Sequence, residues 1–305
     1  MPTIPFPILR LPNAILHKSL EQMSPIGLIS LSVLSNHMKQ LVTRSNNRNR
    51  FDGSIYATSP ISLQMQTNNL HRYIEYAFEF NQLVLRIQDS HGIESATLTK
   101  PGFTEKLWIE HVVEVLFQNK GVALYFNEPF QLNIKEILKN ININWIGTTF
   151  SEFVVWKFFE IFPSLEEVTF YEGPIPLSIL SRNLNWLQIN TKNATLDYAL
   201  TLNCSTFSMY IISFTMKEIN LFIKQWIRGC NPRLEMFQIL HNDNERHLVS
   251  ENVIFKGINI EKRNRIVEFD EREEYRIERF DGTEALVWIN LNRSPFLWMA
   301  VQQVA

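Results

Sequence analysis

The stretch FPILRLPNAILHKSLEQMSPIGLISLSVLSNHMKQLV, Phe6 to Val42, constrains this chain most, because it consists of short apolar segments with a proline at each start. Leu11-Pro12 opens one segment, and Ile15, Leu16 and Leu20 follow at spacings that land on one helical face. Ser24-Pro25 opens the next. Serine is a natural N-cap there, and proline at the first helical position gives up an N–H that has no helical partner anyway. Ile26, Ile29 and Val33, with Leu28 and Leu31 on the flanking stripe, make that segment apolar over much of its circumference. About forty residues cannot bury so much apolar surface alone. The segment needs a neighbour, either the rest of the chain or a partner protein.

That spacing resembles an F-box, the short helical module that docks a protein onto the Skp-type adaptor of a cullin–RING ubiquitin ligase. The matching residues are Leu11-Pro12, Ile15, Leu20, the Ser24-Pro25-Ile26 turn, Leu28, Leu31, Ser32 and Ser35. The chain departs from the common pattern at Asn13, where an acidic residue often follows Leu-Pro, and at Met38, where many members carry tryptophan. The resemblance implies an F-box over residues 5–44. It also implies an adaptor-binding surface made by Leu11, Pro12, Ile15, Leu16, Leu20, Pro25, Ile26, Leu28 and Leu31. A plainer reading of the same residues is a helical hairpin that caps a larger core.

At 305 residues the chain is long enough for one sizeable core plus a small appended module. The basic run Arg44 to Arg50 reads as a solvated linker, which leaves residues 51–305 as a substrate-recognition domain. A formal charge of −2 gives no general attraction to nucleic acid or to anionic membranes. Prolines interrupt the N-terminal apolar residues, so no signal peptide is expected. The run Pro25 to Leu34 falls well short of the ~20 residues that span a bilayer. Cys204 and Cys230 are too few for a disulfide framework, which points to a reducing compartment, cytosol or nucleus. The sequons at Asn193, Asn203 and Asn292 then read as chance tripeptides.

Past the linker the chain is expected to alternate short strands with helices. Apolar residues recur at relative positions 1, 4 and 6: Phe80, Leu83, Leu85; Leu165, Val168, Phe170; Leu184, Leu187, Ile189; Leu234, Phe237, Ile239. Weaker copies sit at Val122, Leu124 and at Met209, Ile211, with a degraded one near Ile141. Leucine-rich repeats use periods of about 20–29 residues, each unit too small to bury its own apolar face. Their hallmark asparagine survives at Asn127 and Asn242. An ordinary open α/β sheet accounts for the same alternation. The expected fold class is therefore α/β, an N-terminal helical module followed by an irregular leucine-rich-repeat-like α/β domain with a C-terminal β-hairpin.

The best-defined element runs from Thr215 to Gly229. Thr215 and Glu218 form a capping box, and Ile219, Phe222, Ile223, Trp226 and Ile227 follow as one apolar stripe. Gly229 is placed for the left-handed cap conformation, and Asn231-Pro232 stops the helix. This segment is similar to the F-box-associated type 2 domain of a greatly expanded nematode F-box family. The telling positions are Asn220, Phe222, Ile223, Trp226, Ile227, Gly229, Asn231, Pro232, Leu234 and Glu235, and the similarity extends over about 153–301. The tail reads independently as a hairpin: an Asp281-Gly282 turn suited to type I′, then Ala285, Val287, Ile289 and Leu291 on one face.

Catalytic signals are weak. The cluster His241 to His247 lacks the glycine and distal glutamate of a calcium loop, and its spacing lacks a familiar zinc geometry. It reads as a solvated loop. Glu110-His111 lies on a helix and reads as surface or edge packing. The acidic stretch Glu268, Asp270, Glu271, Glu273, Glu274 reads as an exposed loop or strand edge. No glycine-rich phosphate loop or nucleophile elbow occurs. No cofactor, metal or catalytic residue is expected.

Together the resemblances imply a non-catalytic substrate receptor of an SCF-type ligase, with a Skp-type adaptor, through it a cullin, and a target protein as partners. Target-binding candidates are the loops Tyr171 to Pro176, Asn190 to Asn193 and His241 to His247, together with exposed residues of the terminal hairpin, with Asp243, Glu245 and Arg246 foremost. The alternatives are an adaptor-independent interaction scaffold of leucine-rich-repeat-like type and, last, a hydrolase.

Overall fold

A computed structural model describes residues 11–45, 51–57, 61–67, 70–79, 82–89, 92–118, 121–126, 133–148, 158–171, 175, 177–190, 194–211, 215–241, 250–267, 270–289 and 297–302. The chain divides into two compact units between Asn144 and Trp145.

Unit one opens with helices α1 (Asn13–Gln22), α2 (Pro25–Ser32) and α3 (Asn36–Ser45). Pro12 is the N-cap of α1, and the Ser24 hydroxyl caps α2 by accepting from Gly27 N at 3.2 Å. Leu16, Leu20, Leu28, Ile29, Met38 and Val42 form the interior of this trio. Strands β1 (Phe51–Ala57), β2 (Ser62–Thr67), β3 (Leu70–Glu79), β4 (Gln82–Asp89) and β5 (Gly92–Thr99) then pair antiparallel in chain order. Ile55, Leu63 and Tyr76 stand in one cross-strand row and are fully buried. Helix α4 (Glu105–Phe117) follows and buries Trp108, Ile109, Val112, Val113 and Leu116, before β6 (Val122–Phe126) pairs parallel with β1. Gly53 lets α4 approach the sheet, since a Cβ there would lie 2.3 Å from the Phe117 ring. Helix α5 (Asn133–Leu138) follows.

The strand–helix alternation expected from residue 51 thus begins only at α4. Leu83 and Leu85 belong to β4, antiparallel between its neighbours, so the first 1-4-6 copy is not a repeat unit. Its last two positions are two residues apart, a spacing that any strand with one buried face satisfies.

Unit two opens within β7 (Ile143–Thr148), which pairs parallel with β8 (Glu167–Phe170) from Trp145 onward. β9 (Trp186–Ile189), β10 (Thr206–Ile211) and β11 (Met236–His241) continue the parallel order side by side. Helices α6 (Leu177–Leu180), α7 (Leu196–Thr201) and α8 (Met216–Ile227) lie between successive strands and supply the crossovers that parallel pairing requires. After α9 (Glu251–Ile254) come β12 (Glu261–Val267), β13 (Asp270–Glu278), β14 (Glu284–Ile289) and β15 (Leu297–Val301). β15 pairs antiparallel with β11, and the sheet runs on through β14 and β13 to β12.

The register places Val168, Leu187, Phe207 and Phe237 in one buried row, and Phe170, Ile189, Met209 and Ile239 in the next. The repeat copy expected at Met209 and Ile211 is therefore shifted by two residues: Phe207 and Met209 hold positions 4 and 6, and buried Cys204 holds position 1. Its small thiol fills a site that leucine occupies at 165, 184 and 234. The copy near Ile141 is likewise carried by Ile143 and Ile146, both buried. Asn127 and Asn242 lie outside the described residues.

Helix α8 is built as its sequence dictates. The capping box at Thr215 and Glu218 is formed, Trp226 is fully buried, and the Phe222 ring stacks on Phe237 at 4.2 Å. Gly229 takes φ 99°, where only glycine is unstrained. The hairpin differs from the type I′ expectation. Gly282 N donates to Arg279 O, Arg279 N donates to Thr283 O, and of Asp281 and Gly282 only the glycine has positive φ. This is a three-residue loop with a glycine bulge, which the twist of the strands equally favours. Ala285, Val287 and Ile289 face inward as expected, and Leu291 lies outside the described residues. Of the acidic stretch, Asp270, Glu271 and Glu273 pair with β12, whereas Glu274 pairs with both β12 and β14 and is buried, not an exposed edge; Glu268 lies outside the described residues.

Candidate functional site

The helical trio divides the expected docking residues into two groups. Leu16 and Leu20, one turn apart on α1, point inward, as do Pro25 and Leu28 on α2. These four hold the trio together and offer no free surface. Pro12 and Ile15 point outward, with Ile15 52% exposed, while Leu11, Ile26 and Leu31 are half-buried. The expected shared face of Ile15 and Leu16 is thus split, because adjacent helical residues diverge by about 100°. Leu34, 71% exposed just past α2, is an outward aliphatic that the sequence reading passed over, although it ends the apolar run from Pro25.

The trio is fastened to α4. The Ser32 hydroxyl and His111 Nε2 lie 2.7 Å apart, both buried, and Lys39 Nζ pairs with Glu114 at 2.5 Å. Gln118 Nε2 donates to the Thr43 carbonyl at 2.5 Å. His111 is therefore interior, not edge packing, and the Phe103 and Trp108 rings meet it edge-on. Burial first, then the nearby Lys39 and Lys100, push its pKa down to about 4, so the ring is neutral at pH 7. Glu110 stays on the surface and accepts from Asn140 Nδ2 at 2.8 Å.

In unit two the polar residues of the motif around α8 are fasteners. Asn220 Nδ2 donates to the carbonyls of Ile254 at 2.6 Å and Lys256 at 3.0 Å, tying α8 to α9. Asn231, with φ 53°, donates to Ala199 O at 3.1 Å and Leu202 O at 2.9 Å, tying the end of α8 to α7. A cleft of about 700 Å³ lies nearby, with Arg233 and Arg279 in its wall. Both cations are held within the chain: Arg279 by Asp281 and Thr283, Arg233 by the Asn203 carbonyl. The Arg279 and Thr283 bonds hold the exposed Asp281 carboxyl well below the usual carboxylate range.

Among the described residues no group of three or more His, Cys, Asp or Glu could hold a metal. Burial pushes the Cys204 thiol up to about 12, which suits packing and not nucleophilic chemistry. Among the described residues no helix is long and apolar enough to cross a membrane. Asp243, Glu245 and Arg246 lie outside the described residues, as do 172–174, 176 and 191–193 of the other candidate loops.

An F-box domain family matches residues 8–50, and a family described as F-box associated matches residues 175–239. The F-box associated domain-containing protein sdz-33 of Caenorhabditis elegans is 33% identical over 301 residues, covering 97% of this chain and 98% of the relative. This chain belongs to the nematode-type F-box proteins that carry an F-box-associated domain of type 2. Both families are typically non-catalytic adaptors, and no enzyme family is indicated. No solved structure matches.

Proposed function

We propose that this protein is the substrate receptor of an SCF-type cullin–RING ubiquitin ligase, acting in the cytoplasm or nucleus. Residues 5–44 engage a Skp-type adaptor, and through it a cullin, while residues 51–305 capture a target protein. The observation that carries this reading is the order of the two matched domains in one chain, an F-box followed by its associated domain. The exposed aliphatics Ile15 and Leu34 support it, with half-buried Leu11, Ile26 and Leu31 around the same helices. Such residues gain about 25 cal/mol per Å² when a partner covers them. The chain performs no bond chemistry in this scheme. It raises the effective concentration of a target lysine near a ubiquitin-charged enzyme.

The parallel β7–β11 array is read as leucine-rich-repeat-like, on the strength of its sequential strand order and its shared 1-4-6 register. Asp243, Glu245 and Arg246 remain proposed contributors to target capture, and reversing their charges should weaken it without changing adaptor binding. A second reading, the adaptor-independent scaffold, draws on the Ser32–His111 and Lys39–Glu114 links, which fasten the trio to α4 as a cap would be fastened.

Co-purification with a Skp-type adaptor separates the two. Ile15→Lys combined with Leu34→Lys should abolish it while leaving the melting temperature within a degree or two, since both side chains already face water. Undiminished adaptor binding by the double variant would refute the docking surface.

A further inference from the structure

The parallel strands β9, β10 and β11 start flush, with Trp186, Thr206 and Met236 in one cross-strand row that ends on Ala300 of β15. The residues just before them form a rim at that end of unit two. Its backbone is fixed: Thr206 N donates to Asn185 O, Glu235 N to Ser205 O and Val301 N to Glu235 O, each at 2.8 Å. The hairpin that supplies Arg279 is fixed as well, by Phe280 N donating to Ile227 O at 2.9 Å. Between these parts opens the cleft of about 700 Å³, with Asn185, Ser205, Arg233, Glu235, Arg279 and Gln302 in its wall.

Two cations and one carboxylate stand in this wall, and the cations are not equivalent. Arg279 has a side chain only 11% exposed, and its charge is spent on Asp281, 2.8 Å away. Arg233 is half-buried and bonds only to the Asn203 carbonyl, a neutral acceptor, at 3.3 Å. Among the described residues no carboxylate lies in ion-pair range of Arg233, not even Glu235 two residues on. Glu235 is exposed, and its side chain has no partner among the described residues. Glu166 and Glu284, which flank the rim, are taken up by the Asn185 amide at 2.7 Å and by Arg276.

A guanidinium presents five N–H donors in a planar fork that matches carboxylate and phosphate oxygens, and Arg233 uses one of them on Asn203. A half-buried charge without a counter-ion has lost hydration that nothing in the chain replaces, so the cleft favours an anion. Its volume is that of a ligand site, yet most of its wall is polar, unlike the apolar pockets that enclose small molecules. A polar hollow between fixed strand ends suits a surface loop of another protein.

We propose that this cleft binds an acidic segment of another protein, one carboxylate or phosphate group of that segment accepting from the Arg233 guanidinium. Glu235 beside it disfavours a second negative group, which limits the site to one anion. Arg233 and Glu235 both lie within residues 175–239, the stretch matched as F-box associated. The site deepens the substrate-receptor reading and rests on it only for the identity of the bound protein as a ligase target.

The test uses the full chain and four amidated, biotinylated nonapeptide libraries, degenerate except for a central Glu, phosphoserine, Gln or Lys. The wild-type protein should retain at least one acidic library about tenfold better than the Gln library, and the Lys library least. Retention of the Glu library alone identifies a carboxylate as the bound group, and of the phosphoserine library alone a phosphate. Arg233→Gln should erase the preference, whereas Arg233→Lys, which keeps the charge and loses the fork, should keep about a third of it. Glu235→Gln should raise retention of the acidic library about threefold, because the one repelling carboxylate of the wall is gone. That side chain is exposed, so this variant stays folded and decides the matter even where Arg233→Gln does not fold. No acidic preference in the wild type, a preference that survives Arg233→Gln, or no rise with Glu235→Gln overturns the proposal. Adaptor co-purification on the same variants keeps the two readings apart. Acidic preference without adaptor binding defeats the receptor reading alone, and adaptor binding without acidic preference defeats this site alone.

Discussion

The two units solve the same packing problem with different regularity. In unit two the parallel strands bury their side chains in shared registered rows, so one apolar spacing serves Leu165 to Phe170, Leu184 to Ile189, Cys204 to Met209 and Leu234 to Ile239. In unit one the antiparallel strands meander, and the buried row Ile55, Leu63 and Tyr76 falls at no constant interval along the chain. A repeated period therefore reports repeated surroundings, and its absence does not report the absence of a core. The polar fasteners differ too. Unit two ties its helices with asparagine amides on backbone carbonyls, which do not titrate, whereas unit one ties α2 to α4 through a histidine.

The largest effect expected is in the regular unit. Trp226→Ala should cost roughly 3–5 kcal/mol, as for other large buried aromatics, read as a lowered urea midpoint. An unchanged midpoint with loss of a binding partner would mean that this indole is a ligand contact after all. In the irregular unit, Leu20→Ala should cost about 2–5 kcal/mol while its outward neighbour Ile15→Ala stays within about 0.5 kcal/mol. Equal costs would contradict the split of the α1 face. Asn231→Ala removes two buried amide bonds and a side chain suited to positive φ, for about 1–3 kcal/mol.

The histidine fastener predicts a pH response that the asparagines cannot give. The His111 pKa lies near 4 in the folded chain, below its ordinary 6.5. Between those values the unfolded chain binds a proton that the folded chain refuses, so stability is complete above about pH 6.5 and declines as pH falls toward 4. Melting temperatures of wild type and His111→Gln, scanned from pH 7.5 to 4.5, should converge at the acid end. Parallel curves would show that another group carries the response. The smallest effect belongs to Trp186→Ala, within about 0.5 kcal/mol of wild type because that indole stands at the surface. Set against Trp226, it measures how far one residue type can differ between the buried stripe of a helix and an exposed strand position.

The sequence alone determined the features whose signals close within a few residues. Ser24 and Thr215 cap their helices, Gly229 takes its left-handed turn and the terminal hairpin forms, because each needs only neighbouring backbone groups and intrinsic φ preferences. The paired domain signatures were legible for the same reason, being contiguous runs of residues. Tertiary structure decided the rest: which side of α1 faces inward, the five-strand meander of unit one, Cys204 as a core position, the interior place of β13 and the burial of His111. These depend on partners far away in sequence, such as Ser32 for His111 and β14 for β13. The free energy of each such pairing exists only once both segments have come together, and no local pattern of residues records which segment that will be.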